Sequence, residues 1–250
     1  MPKARRGKPS KIGSAVAFLG TAIAQGRFPV GSKLPPEPAL ETRFGVSRSV
    51  VREAVKTLAA KGLVSVRPRH GTEIRPRSDW NLLDRDVLSW LTENTGADRD
   101  LLLAIEEVRA IIEPAAAALA AVRATSEDRA RIEEALAAMR RERADAAGAV
   151  SADKAFHLAI LTATHNPILQ SFRGAIESIL DAVFAVAIHP PGWFEANLPN
   201  HAAVARAIKT GNAKSARESM ERTLSYTRSR LAAVVEPIPS AQKTNRVRRL

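Results

Sequence analysis

The chain has no cysteine. That absence excludes a disulfide framework, a thiolate zinc finger, an iron–sulfur cluster and a cysteine nucleophile, and it suits a reducing compartment without requiring one. Aromatic residues are scarce, at 4% of the chain. Single-stranded nucleic acid is read on stacked aromatic faces, so duplex DNA is the better fit to any polyanionic partner. No run of about 18 apolar residues could span a bilayer. The N-terminal MPKARRGKPSKIG is basic, but neither the apolar stretch nor the small-residue cleavage site of a secretory signal follows it. The expectation is a cytoplasmic protein with no membrane partner.

What is present is basic charge, unevenly placed. The 250 residues carry a formal net charge of +12, and at roughly 150 residues per domain they suggest two domains. Residues 1–78 hold 16 Lys/Arg against 4 Asp/Glu, whereas residues 79–250 hold 22 of each. The whole excess therefore lies at one end, which points to a polyanion bound by the first domain and not by the second.

Apolar periodicity divides the chain further. Residues 1–10 read as a basic disordered arm, and 11–77 as a first domain. Ile12, Val16, Leu19 and Ile23 recur at helical spacing over Lys11–Gln25. Pro36-Glu37-Pro38 can open a short helix whose apolar face is Leu40 and Phe44, with Gly45 as its stop. Ser47 has the character of an N-cap before a third helix, Arg48–Lys61, with Val51, Val55 and Leu58 inward and Arg48, Ser49, Arg52 and Lys56 outward. Two short β-prone runs, Leu63–Val66 and Thr72–Ile74, flank a basic tip at Arg67-Pro68-Arg69-His70-Gly71. The order is that of a winged helix-turn-helix. Its second helix enters the major groove, where Arg48 and Arg52, four apart on one face, can each pair bidentately with guanine. The tip residues Arg69, His70 and Gly71 reach phosphates or the minor groove.

Beyond residue 78 the β signal is lost. Trp80, Leu83, Val87, Leu88 and Leu91 predict a linker helix within 78–97. Helices over about 98–123, 126–147, 150–164, 168–187, 197–210 and 213–235 make 98–235 an all-helical domain, and 236–250 read as a flexible basic tail. The fold class is thus mainly α: an N-terminal winged helix-turn-helix and a C-terminal helical bundle. In that bundle Asp153 and His157 lie four apart on one helix face, where both reach a divalent ion or simply form a surface pair. His201, near the start of a later helix, can join them. Arg109 faces either a cavity, where a guanidinium suits a carboxylate, or solvent, paired with Glu113. Asn166 reads as a helix-end residue, His165 and His189 as structural or exposed, and Trp193 and Phe194 as residues of a Pro/Gly-rich loop that either pack or cover the cavity.

Two stretches carry a family resemblance. GSKLPPEPALETRFGVSRSVVREAVKTLAAKGLVSVRPRHGTEI closely resembles the DNA-binding domain of the GntR family of bacterial transcription regulators. The resemblance implies that Arg48 and Arg52 read bases, that Ser47 and Ser49 touch phosphate or base, and that Gly71 sits at the wing tip. Pro38 stands where members of the family often have Arg, so no DNA contact is carried over to that position. EVRAIIEP, DKAFHLAILTATHNPIL and NHAAVARAI resemble the FCD ligand-binding domain of the FadR-like subgroup. That resemblance implies a homodimer controlled by a small carboxylate effector. It also implies a divalent ion, zinc by preference, on Asp153, His157 and His201, with Thr223 standing where a fourth ligand, a histidine, is usual. WNLLDRDVLSWL looks like the sugar-acid-responsive, galactonate-type members. The function implied is an effector-controlled repressor of transcription that is not an enzyme. A metal-dependent hydroxy-acid enzyme with a DNA-binding appendage and a general DNA-packaging protein are the rival readings.

Overall fold

The computed structural model describes residues 10–67, 69–92, 99–186 and 192–235. The expected N-terminal arm to residue 9, Pro68 of the wing tip, the end of the linker at 93–98, His189 and the tail 236–250 lie outside the described residues.

The first domain is three helices and a hairpin. Helix α1 (Lys11–Ala24) is capped by the Ser10 side chain, which accepts from Gly13 N, and it buries Val16, Leu19 and Ile23. Helix α2 (Glu37–Phe44) begins between two prolines, where no intrahelical N–H partner is lost, and stops at Gly45 with φ 60°. Helix α3 (Arg48–Ala60) turns Val51, Ala54, Val55 and Leu58 into the core. Gly62 ends it with φ 83°, and a side chain there would lie 2.3 Å from the carbonyl oxygen of Asp79, so only glycine fits. Strands β1 (Val64–Arg67) and β2 (Gly71–Ile74) pair antiparallel with Val64 opposite Ile74 and Arg67 opposite Gly71.

The expected linker helix starts later and is more deeply placed than the sequence spacing predicts. Trp80 stands outside any helix and is buried in the first core, its indole N–H donating to the Arg75 carbonyl. Asp84 accepts from the backbone N–H groups of Asp86 and Val87, so α4 (Arg85–Thr92) starts only there. One face of α4 seats Val87 and Trp90 in the first core. The other places Leu88 in a cluster with Ile176, Ile179 and Leu180 of the second domain. Lys61 donates to Asp84 and lies against Asp86, tying the end of α3 to the start of α4.

The second domain comprises α5 (Arg99–Arg123), α6 (Ser126–Arg141), α7 (Ala146–Ala163), α8 (Pro167–Ser171), α9 (Arg173–Val186), α10 (Trp193–Lys209) and α11 (Ala213–Val235). The Ala-rich end of α5 presents Ala116, Ala117, Ala120 and Ala121 to the interior, all buried. Small side chains let helices approach closely, and α5 packs along α11 and α7. Three boundaries correct the sequence reading. Asp145 caps α7 by accepting from Ala147 and Gly148, which moves the α6–α7 break four residues earlier than 150. Phe172 separates α8 from α9 within the single helix expected. Helix α10 starts at Trp193, just after Gly192 with φ 82°, so the expected Trp193–Phe194 loop is helix, and Phe194 is in the core.

Candidate functional site

The first site is the exposed start of α3. Arg48 and Arg52 project there with side chains 72% and 59% exposed, so both guanidinium groups are accessible to a groove. Glu37 of α2 lies against both: the Arg48 Nε–H donates to its carboxylate at 2.9 Å and Arg52 Nε is 4.0 Å away. Ser47 occupies the N-cap position, but its side chain makes no cap bond; its hydroxyl is 2.9 Å from that of Ser49. Both hydroxyls are thereby held at the exposed tip of the helix. The wing turns at Arg69, with φ 64°, and His70, both exposed. Gly71 is the first residue of β2 and not the apex; its φ of 88° suits glycine.

The second site is buried. Asp153 and His157 come from α7 and His201 from α10, and each is at most 4% exposed. His201 Nε2 is 3.1 Å from Asp153 Oδ1, and His157 Nε2 is 3.5 Å from Asp153 Oδ2. One ligand atom from each residue lies within 4.8 Å of the others. Phe156 packs edge-on against both rings and keeps the face dry.

The donor set fits a divalent cation. His201 Nδ1 is 3.0 Å from the Asn197 carbonyl, a bond that only an N–H can make, so in the neutral ring Nε2 carries a lone pair. That lone pair faces a carboxylate oxygen, and His201 Nε2 is buried without a hydrogen-bond partner. Two acceptors facing one another away from water are unfavourable unless a cation is shared between them. The charges agree. Glu106, Glu113 and Asp153 are buried with one guanidinium, Arg109, so the remaining negative charge falls to be balanced by the imidazoles or by a cation held between them. An Asp/His/His set with positions left open is ligand chemistry suited to zinc and related ions.

Arg109 is neither exposed nor turned to an open cavity. It is 2% exposed, with Nε donating to Glu113 at 2.7 Å and Nη1 to Glu106 at 2.9 Å. The Glu113 pairing expected on a solvated face is therefore present, but in the interior. Burial works to raise the Glu113 carboxyl, yet Arg109 and His157 outweigh it and hold it at about 2. Against its own burial, Asp153 is likewise held below the usual carboxylate range by His157 and His201. A pocket beside these groups, lined by Glu113, His157, Ile112, Ile160 and Met220 among others, offers only about 10 Å³, far below the roughly 300–1,000 Å³ of common small-molecule sites. Thr223, at the position of the missing histidine, is buried and donates its hydroxyl to the Ser219 carbonyl.

Family comparisons agree with both halves. The model of the bacterial regulatory proteins of the gntR family matches residues 12–74, and the FCD domain model matches residues 104–226. The chain belongs to the GntR family. Among relatives of this GntR/FCD regulator, the galactonate operon transcriptional repressor of Escherichia coli is 37% identical over 206 residues, 80% of this chain and 87% of the relative. The Uxu operon regulator of Haemophilus influenzae is 27% identical over 208 residues, 81% and 75% of the two chains. A solved structure of Lar, which controls expression of the Listeria monocytogenes agr system, matches with TM-score 0.65 over 91% of this chain and 99% of its own. At 19% identity that likeness is one of fold alone.

The GntR/FCD regulator is thus a regulator of transcription and not an enzyme, related to repressors of sugar-acid operons. Among the described residues no helix is long and apolar enough to cross a membrane. Of the remaining expectations, Asn166 caps α8 as a helix-end residue, and exposed His165 contacts Asp128 at 2.6 Å. Sequence reasoning missed Glu37 and Glu106 as partners of the arginines, and Asn197 as the acceptor that orients His201. The spacing Glu106, Arg109, Glu113 places all three on one helix face and could have shown the first buried pair.

Proposed function

We propose that the GntR/FCD regulator binds a palindromic operator as a homodimer and represses until a small hydroxy-carboxylate, of the sugar-acid class, occupies the site around Asp153, His157 and His201. The observation that carries this reading is the buried Asp153/His157/His201 cluster in a domain whose partner domain exposes Arg48 and Arg52. The relative named as a galactonate operon repressor supports the sugar-acid class.

In this reading Arg48 and Arg52 take guanine edges, Ser47 and Ser49 take phosphate or base, and Arg69, His70 and Gly71 carry the wing against the backbone. A bound divalent ion, zinc by preference, supplies a positive centre with coordination positions free for carboxylate and hydroxyl oxygens. Asp153, His157 and His201 would hold it, and the apolar walls from Ile112, Ile160 and Met220 exclude water from it.

The effector acts by preferring one arrangement of the dimer, in which the recognition helices no longer match the half-sites. Continuous packing supports a route for that preference. Lys154, next to Asp153, donates to Asp181 of α9 at 2.5 Å; α9 packs on α4 through Leu88, and α4 packs on α1 through Trp90. The test is fluorescence anisotropy on operator DNA with purified zinc-loaded protein and a panel of D-galactonate, other aldonic acids, L-lactate and acyl-CoA. Release of DNA by aldonic acids is expected. Release by acyl-CoA alone overturns the effector class, and absence of bound metal with a full sugar-acid response overturns the ion.

A further inference from the structure

The buried cluster contains more than a ligand set. From His157 a chain of charged groups runs back along α5: His157 Nδ1 is 2.5 Å from Glu113 Oε2, Arg109 Nε donates to Glu113 Oε1 at 2.7 Å, and Arg109 Nη1 donates to Glu106 Oε1 at 2.9 Å. All four residues are at most 6% exposed. The contact between Nδ1 and Oε2 is close, although its angles fall short of a well-formed hydrogen bond. A carboxylate oxygen offers only an acceptor, so of the two ring nitrogens the one that faces Glu113 is the one placed to carry an N–H. In the neutral ring this makes Nε2, the nitrogen on the Asp153 side, the one free to take a cation.

We infer that Glu113 is a positioning residue for the ion site, fixing the tautomer and ring orientation of His157, and that Arg109 in turn fixes Glu113. The inference rests on Asp153, His157 and His201 being the metal ligands proposed above. It changes the role of the one buried arginine. Arg109 acts on the ion through two intervening side chains, with two of its N–H groups already committed to carboxylates, and does not grip the effector. The two imidazoles are also oriented differently. His201 gives its N–H to the neutral carbonyl of Asn197, whereas His157 faces the carboxylate of Glu113. Outer partners of this kind are typically worth about 10–100-fold in metal affinity.

The test uses the full chain with zinc ion alone as the probe. Glu113→Gln removes the charge and keeps the shape, and zinc affinity is measured by competition with a chromophoric chelator. The expected result is an affinity about 10–100-fold weaker than wild type, with unchanged helix content by circular dichroism and unchanged DNA binding. A folded Glu113→Gln protein that binds zinc as tightly as wild type overturns the positioning role. Wild-type protein that takes up no zinc overturns the ligand assignment beneath it, a different and separately visible failure. If the variant does not fold, long-range ¹H–¹⁵N spectra of zinc-loaded wild type decide. Protonated Nδ1 with metal-bound Nε2 on His157 supports the inference, and metal on Nδ1 overturns it.

Discussion

Gly20 lies inside α1, where its missing side chain makes room for the indole of Trp90 on α4. A Cβ built at Gly20 falls 2.4 Å from two ring carbons of Trp90 and 2.6 Å from a third. Carbon atoms in contact settle at roughly 3.5–4.0 Å, so Gly20→Ala must drive the ring back by about 1 Å. The ring has little room to retreat, since Trp90 is 5% exposed and Lys61 Nζ lies 5.8 Å from the ring centroid. Overpacking of this kind costs about 1–3 kcal/mol. Alanine is the better helix former by about 0.8–1.0 kcal/mol, which offsets part of it. The net expectation is a loss of about 1 kcal/mol, or a fall in Tm of about 2–4 °C for a chain of this size. Scanning calorimetry reads the first effect, and anisotropy on operator DNA the second: binding persists, while the response to effector weakens because α4 no longer follows both cores. A Gly20→Ala protein that melts above wild type, with unaltered tryptophan fluorescence, would refute the seating of Trp90 on α1 as the joint between the domains.

Three further outcomes are expected. Arg52→Ala should reduce discrimination between operator and mismatched DNA by about 1–3 kcal/mol, read from competition titrations; equal specificity in wild type and variant removes Arg52 from base reading. His157→Ala should abolish zinc retention and effector response while the helix content and affinity for operator are kept, as measured by elemental analysis and anisotropy; a protein that retains zinc contradicts the ligand role. Burial opposes the ionised form of Asp128, but Thr125 and His165 outweigh it and hold the carboxyl below its ordinary value. A carboxyl lowered by folding stabilises above the unfolded value and ceases to as pH falls through the folded one. The Tm advantage of wild type over Asp128→Asn should therefore be full near neutrality and shrink below pH about 4; an advantage that grows on acidification reverses the sign.

How far the sequence could be read depended on whether the decisive contacts were local. Helical period and glycine stops located α1, α2 and α3 within a residue or two, because each buries one stripe on a single core. The start of α4 was misplaced because Trp80, Leu83 and Val87 have helical spacing by coincidence: Trp80 is fixed by its N–H to Arg75, and Asp84 caps the helix that follows. Asp153 and His157 were legible together through their spacing of four. That His201 completes their set depends on how α10 crosses α7, which spacing does not encode. The burial of Arg109 was hidden for a related reason. Charged residues on a helix are taken as a solvated face, yet here one cation with acidic residues three before and four after it satisfies its charge internally, and the face turns inward.

Because α4 contributes to two cores, the first domain has no clean end at its wing. A fragment stopping after Ile74 would lack Trp80, Val87 and Trp90 and would strip three buried members from the core that α1, α2 and α3 share. Grafting this reading head onto another sensor would therefore have to cut after Thr92, carrying the donor's α4 and with it the surface that the new sensor must accept. Modularity in this protein is constrained by that shared helix: its two halves can exchange partners only if the sequence of the connecting segment changes in step with both.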